Sequence, residues 1–333
     1  MTSFKINKDI LLDHNSTTFI IAEIGINHEG DFSLAKKMTK DAFDAGANAV
    51  KFQIVNADHS YAKETSSYQM FKKVELKKQQ YKILFNNFKK RGIVFATPGD
   101  LKSVKLCSEI NFPLYKISSG LLNNIPLLKE IKKTKKPIIV STGMAEIIEI
   151  NKVLSFFKKS KSKLALLHCI SLYPTPLKKI NLKSINYLKN KYKIITGFSD
   201  HTLGWEACKM AVLSGAKIIE KHYTIDSKRK GFDHSISLNK LEFRKMVKDI
   251  RHIEEILGLY QKKPLQEELI KKKNMERYCV ASKNIKIGEK FSINNILFKR
   301  VESSPLFIKA FNFAMIENRK SKYNFAKNQP IIK

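Results

Sequence analysis

Two histidines and a glutamate stand where a divalent ion could be held. His201 follows one apolar run in Ser199-Asp200-His201-Thr202, and His222 lies inside the next. Glu220 is two residues before His222, and side chains on a strand alternate faces, so the two point the same way. On neighbouring parallel strands the imidazoles would meet at one end, with Glu220 placed to hold a metal-bound water. Two neutral imidazoles leave the ion's charge available and several positions open, as a Lewis-acid site requires. Either histidine alone reads more readily as a satisfied core residue. Lys51 and Lys116 are charges inside apolar runs, unlike the lysines of the presumed helix faces. With Ser119, Gly120 and Ser141 close to the run ends, they suit a compact anion carrying phosphate and carboxylate. Glu23, also inside a run, is the candidate carboxylate for proton transfer or an ion-pair partner for one of those lysines.

Burying Lys51, Lys116 or Glu220 costs several kcal/mol unless each is paired. The elements holding them must therefore converge. Apolar runs at 19–25, 49–53, 93–97, 114–118, 137–141, 164–168, 194–198 and 218–222 alternate with lysine-rich amphipathic stretches. One such stretch carries Leu34, Met38, Ala42 and Ala45 at helical spacing. Near-continuous apolar strands between helices mean a parallel sheet covered on both faces. Eight such units within about 250 residues fit a (β/α)8 TIM barrel, an α/β fold with its chemistry at the C-terminal strand ends. A doubly wound open sheet is the alternative, and the lack of a Gly-x-Gly-x-x-Gly after the first strand counts against it. The expected domains are a barrel over 1–260, a polar linker over 261–275, and a small β-rich module over 276–333. In that module the sequence predicts short strands, a turn at Gly288-Glu289 and a short helix capped by Ser292.

The 333 residues carry a formal charge of +32, yet only seven of the 62 basic residues are arginine. Nucleic-acid readers favour arginine's planar fork, and these lysines spread over every presumed helix, so no nucleic-acid partner is expected. No apolar run is long enough to span a membrane, and the first residues lack a secretory h-region. Four scattered cysteines without a CxxC argue against a disulfide scaffold or a thiolate zinc site. A cytoplasmic protein is expected.

Taken in order, AEIGINHEG (22–30), VKFQ (50–53), ATPGD (96–100), KISSG (116–120), PIIVSTGM (137–144), LLHC (166–169), YPTP (173–176), GFSDHTLG (197–204) and EKHYT (220–224) resemble the motifs of the sialic acid synthase family. These are phosphoenolpyruvate-dependent nonulosonate synthases. The stretch 284–300 is similar to the family's antifreeze-like (SAF) domain. The resemblance implies a transferase that condenses phosphoenolpyruvate with an open-chain N-acetylhexosamine and releases phosphate by C–O cleavage. N-acetylmannosamine would give N-acetylneuraminate, and a diacetamido-trideoxyhexose would give legionaminate. It implies phosphoenolpyruvate on Lys51, Lys116, Ser119, Ser141 and Ser171, and a divalent ion (Mn2+, or Mg2+ or Co2+) on His201 and His222. Glu23 would act at the aldehyde. Tyr173 and Asp233 would touch the sugar, joined by Arg300 from the partner in a domain-swapped homodimer. Leu121 stands where many members carry Glu or Asp, and Ser171 where many have Asn. Leu121, together with a divergent tail that reads Val301-Glu302-Ser303-Ser304 where the family has a Pro-Gly turn, raises a second class, a catalytically impaired binder of sugar or phosphoenolpyruvate. An ice-binding or nucleic-acid role for the basic small module is a third.

Overall fold

The computed structural model describes residues 2–157, 164–302 and 304–333. The chain divides into two compact units, one ending at Leu259 and one spanning Tyr260–Lys333.

The first unit is a closed parallel barrel. Its strands are β3 (Phe19–Gly25), β4 (Ala49–Ile54), β5 (Ile93–Pro98), β6 (Tyr115–Ile117), β7 (Ile138–Ser141), β8 (Leu164–Cys169), β9 (Ile195–Asp200) and β10 (Ile218–His222), with β10 closing on β3. This is the (β/α)8 TIM barrel expected from the run spacing. Alternation sorts the strand residues into two apolar clusters. Ile20, Ala22, Val50, Val94, Tyr115, Val140, Leu166 and Ile219 pack outward with the helices. Phe19, Ile21, Ala49, Phe95, Leu114, Ile139, Leu167 and Ile218 fill the interior.

The helices follow the amphipathic stretches. Helix Phe32–Asp44 is capped by Asp31, whose carboxylate accepts from the backbone of Ser33 and Leu34, and it buries Ala35, Met38 and Ala42. Capping of this kind contributes about 1 kcal/mol. Among the described residues no helix is long and apolar enough to cross a membrane.

A feature absent from the run pattern is a hairpin of β1 (Phe4–Lys5) and β2 (Leu11–Leu12). Phe4, Ile6 and Leu12 pack on the interior apolar residues, so the hairpin covers the barrel end away from the strand C-termini. Strands this short carry no readable alternation.

The second unit pairs β11 (Tyr278–Ala281) antiparallel with β12 (Ile296–Lys299). Cys279, Ile285, Phe291, Ile308, Phe325 and Ile331 form its core. Helix Gln266–Met275 precedes them and buries no residue. The helix expected after Ser292 is instead a single turn: Asn295 Oδ1 accepts from Ser292 N at 2.8 Å, and β12 begins at once. Four residues are too few to nucleate a helix there. Cys107, Cys169, Cys208 and Cys279 are all free thiols.

Candidate active site

One step beyond the interior apolar residues, each strand turns polar: Glu23, Lys51, Thr97, Lys116, Ser141, Cys169, Ser199 and Glu220. The change comes at the C-terminal strand ends, the face where barrel enzymes build their sites. Glu23, Lys51, Lys116 and Glu220 are all at most 4% exposed. Lys51 Nζ lies 2.7 Å from Glu23 Oε2 and 3.2 Å from Glu220 Oε2, and Lys116 Nζ lies 3.1 Å from Glu220 Oε1. Strand register makes this possible, since Glu23 stands beside Lys51 on one side and His222 on the other. The four charges alternate in sign and sum to zero, which is how such a set survives burial.

Ser199 Oγ donates to Glu220 Oε1 at 3.0 Å, and Lys51 donates to Thr97 Oγ1 at 3.3 Å. Burial pulls the Lys51 ammonium down to about 7, against the opposing pull of Glu220. Burial acts to raise the Glu220 carboxyl, but Lys116 and Lys51 outweigh it and hold the group below its ordinary value. Glu23 Oε1 and Ser141 Oγ are buried without a hydrogen-bond partner among the described residues. Both are free to meet a ligand.

His201 and His222 stand together beside this set, ring centroids 5.4 Å apart and planes at 55°. His201 Nδ1 is 2.8 Å from the Ile170 carbonyl, so that nitrogen carries the proton and Nε2 keeps its lone pair. His222 Nδ1 is buried without a hydrogen bond, 3.5 Å from Asp233 Oδ2. Burial, reinforced at His201 by the His222 ring and at His222 by Lys51 and Lys221, lowers His201 to about 4 and His222 to about 3. Both rings are therefore neutral near pH 7, the form that can ligate. An orphaned ring nitrogen and a free lone pair on adjacent rings fit a divalent ion. Among the described residues no group of three His, Cys, Asp or Glu forms a metal cage. Both Glu220 oxygens face lysines, so the arrangement leaves this carboxylate as a clamp between Lys51 and Lys116.

Tyr173 stacks on His201 at 4.0 Å and meets His222 edge-on at 6.1 Å. Asp233 sits on the loop after β10, where burial raises its carboxyl. That loop is pinned by Asn27, whose Oδ1 accepts from Asp233 N at 3.1 Å and whose Nδ2 donates to Ser237 Oγ at 3.0 Å. Ser119 and Ser171 meet around Gly143, where a Cβ would stand 2.8 Å and 2.4 Å from their hydroxyls. Ser119 Oγ accepts from Gly143 N at 2.9 Å. Leu121 packs on the outer core and lines a cavity of about 630 Å³ with Gln53, Thr97, Ser118 and Asn123. The barrel unit thus gathers every site residue expected from it. Arg300 is exposed at the end of β12 in the second unit.

Reading single residues missed Thr97, Cys169 and Ser199. Their signal was present: each is two or four residues past an inward apolar position on its strand. Lys221, fully buried against Asp200 at 2.9 Å, carried no such signal because it points the other way.

Comparison with known proteins agrees with this fold. Residues 38–262 match the NeuB family. The chain is 43% identical over 285 residues to an uncharacterised protein of Methanocaldococcus jannaschii, covering 85% of each. It is 40% identical over 301 residues to the N,N'-diacetyllegionaminic acid synthase of Campylobacter jejuni, covering 85% of this chain and 90% of that protein. The crystal structure of an N-acetylneuraminic acid synthetase from Leptospira borgpetersenii, in complex with citrate, superposes with a TM-score of 0.78 at 37% identity. That match covers 82% of this chain and 97% of the other. The chain belongs to the NeuB family.

Proposed function

We propose that this chain condenses phosphoenolpyruvate with an open-chain N-acetylhexosamine and water, giving a nine-carbon 2-keto sugar acid and phosphate. The observation that carries this is the buried run Glu23–Lys51–Glu220–Lys116 beside two neutral imidazoles at one barrel mouth. N-acetylmannosamine is the first acceptor to test. A diacetamido-trideoxyhexose is the second reading, favoured by the 40% identity to a legionaminic acid synthase and by apolar Leu121 in the cavity wall.

Lys51 and Lys116 hold the donor's phosphate and carboxylate, while Ser119, Ser141 and Ser171 donate hydroxyls to the same oxygens. A divalent ion on His201 and His222, Mn2+ or a relative, would polarise the aldehyde oxygen. Electrostatics supports that ion: the four buried charges cancel, so a multiply charged anion needs further positive charge nearby. Carbon 3 of the donor attacks the aldehyde carbon, and Glu23, with its unpartnered Oε1, manages the proton at the new alkoxide. Water adds at carbon 2, and the C–O bond to phosphate breaks. The lysines oppose the leaving phosphate's charge, acting on the barrier as well as on binding. Tyr173 and Asp233 orient the sugar. The second unit serves as the antifreeze-like domain of a domain-swapped homodimer, presenting Arg300 to the partner's sugar.

The test mixes the protein, Mn2+ and phosphoenolpyruvate with a panel of N-acetylhexosamines, reading phosphate release and product mass. Release with 18O from water retained in the keto acid supports C–O cleavage. Phosphoenolpyruvate binding with no release from any sugar would instead identify an impaired binder.

A further inference from the structure

Behind the two imidazoles, on the helix side of the barrel wall, lies an ion pair that the proposed reaction does not use. Lys221 and Asp200 are both 0% exposed, with Lys221 Nζ 2.9 Å from Asp200 Oδ2 and 2.5 Å from the Thr202 carbonyl. Asp200 is saturated in turn: Oδ1 accepts from Thr202 N at 2.9 Å, and Oδ2 accepts from Thr202 Oγ1 and Cys208 Sγ, each at 3.2 Å. The two residues are direct cross-strand partners of β9 and β10.

A fully buried ion pair is a poor source of net stability, since an apolar pair of similar volume often does as well or better. Its placement accounts for it better. Asp200 immediately precedes His201, and Lys221 lies between Glu220 and His222. Each residue faces outward, so its neighbours face the barrel mouth. Lower on the same strand pair the backbones are already pressed together, for a Cβ at Gly197 would meet the Ile218 carbonyl oxygen at 2.2 Å. Gly197 sets the strand separation below the site, and the Lys221–Asp200 clip sets it at the level of the imidazoles. The Thr202 contacts add the backbone that leaves His201, fixing that ring's exit from β9.

We infer that Lys221 and Asp200 are positioning residues whose buried clip fixes the separation of His201 and His222, and hence the affinity for a divalent ion. The inference rests on the metal reading above. It concerns ligand spacing, and it requires no contact between the clip and the ion or the substrates.

The test compares the wild type, Asp200→Asn and the neutral pair Asp200→Asn/Lys221→Met. Asp200→Asn is isosteric and keeps an acceptor for Thr202 N. Mn2+ affinity is measured from the EPR signal of free ion, geometry from the visible absorption of the Co2+-loaded protein, and fold from metal-free thermal unfolding. Expected is a neutral pair that unfolds near the wild-type temperature, binds Mn2+ about tenfold or more weakly and shows a shifted Co2+ band. Phosphoenolpyruvate affinity without metal should stay within about twofold, because Lys51 and Lys116 are untouched. Wild-type Mn2+ affinity and an unshifted Co2+ band in the neutral pair would overturn the inference. Should that pair not fold, Asp200→Asn alone decides by the same two readings. A wild-type protein that binds neither Mn2+ nor Co2+ sinks the metal reading itself, and the clip's role with it.

Discussion

Glu23 Oε2 and Lys51 Nζ face one another at 2.7 Å on adjacent strands, with 1% and 3% of their side chains exposed. Lys51 is held from the other side by Glu220, so removing the Glu23 charge leaves the ammonium still paired. Glu23→Gln is isosteric and keeps that arrangement while ending proton transfer at this position. It should lower turnover by about 10²- to 10⁴-fold, with phosphoenolpyruvate affinity changed only a few-fold. Rapid-mix phosphate release against equilibrium donor binding checks this split. Parallel losses in both would show that Glu23 only tunes Lys51.

Lys116 and Glu220 make a second test, of buried charge. Lys116→Met leaves Glu220 with one cation where it had two, in a site where both side chains are at most 5% exposed. Breaking such a pair costs about 3–5 kcal/mol, whereas removing both charges costs far less. Lys116→Met should therefore unfold at markedly lower urea, and adding Glu220→Gln should restore most of the loss. Both variants should lose phosphoenolpyruvate binding, because the donor's anion contact is gone in each. Stability without recovery in the double variant would mean the run is not electrostatically coupled.

The barrel was legible because its eight apolar runs keep a parallel-sheet rhythm and end in polar clusters. Lys51, Lys116 and Glu220 stood out because a charge inside such a run demands partners, and the structure supplies them in one another. Ser199 and Thr97 were harder to see, since a hydroxyl in a strand is cheap and needs no special explanation. The β1–β2 hairpin was not legible at all: two-residue strands have no period, and Phe4 and Leu12 matter only through what they cover. Asn27 escaped for a similar reason, since its partners Asp233 and Ser237 are about two hundred residues away in sequence. The Ser292 helix was over-read from a cap signal without enough chain behind it.

His28 gives a prediction for pH. It is fully buried, and burial lowers its imidazole from 6.5 to about 4, so the folded chain holds it neutral. Between those values the unfolded chain binds a proton that the folded chain does not. Stability therefore falls as pH drops from 6.5 toward 4 and is unaffected by this group above 6.5. The full difference is about 3 kcal/mol at 1.36 kcal/mol for each pH unit. Urea midpoints of the metal-free protein at pH 7, 5.5 and 4.5 should decline, and His28→Gln should decline less steeply. Equal slopes would remove His28 from the account.

Gly143 joins the loop after β7 to the hydroxyls assigned to the donor. Its backbone N–H donates to Ser119 Oγ at 2.9 Å, and a methyl there would collide with the hydroxyls of Ser171 at 2.4 Å and Ser119 at 2.8 Å. Gly143 has no positive φ, so alanine brings no backbone strain, and the substitution acts through those two side chains and, less sharply, through Cys169 Sγ at 3.2 Å. Ser119 and Ser171 must rotate or shift, and each would then aim its hydroxyl away from the donor's oxygens. One misdirected hydrogen bond is worth about 1 kcal/mol, so phosphoenolpyruvate affinity should fall roughly five- to tenfold. The methyl reaches His201 only through Cys169 Sγ, 3.8 Å from its Nδ1, so Mn2+ affinity should change less than donor affinity. Gly143→Ala with unchanged donor affinity would place phosphoenolpyruvate elsewhere in the mouth, away from Ser119 and Ser171.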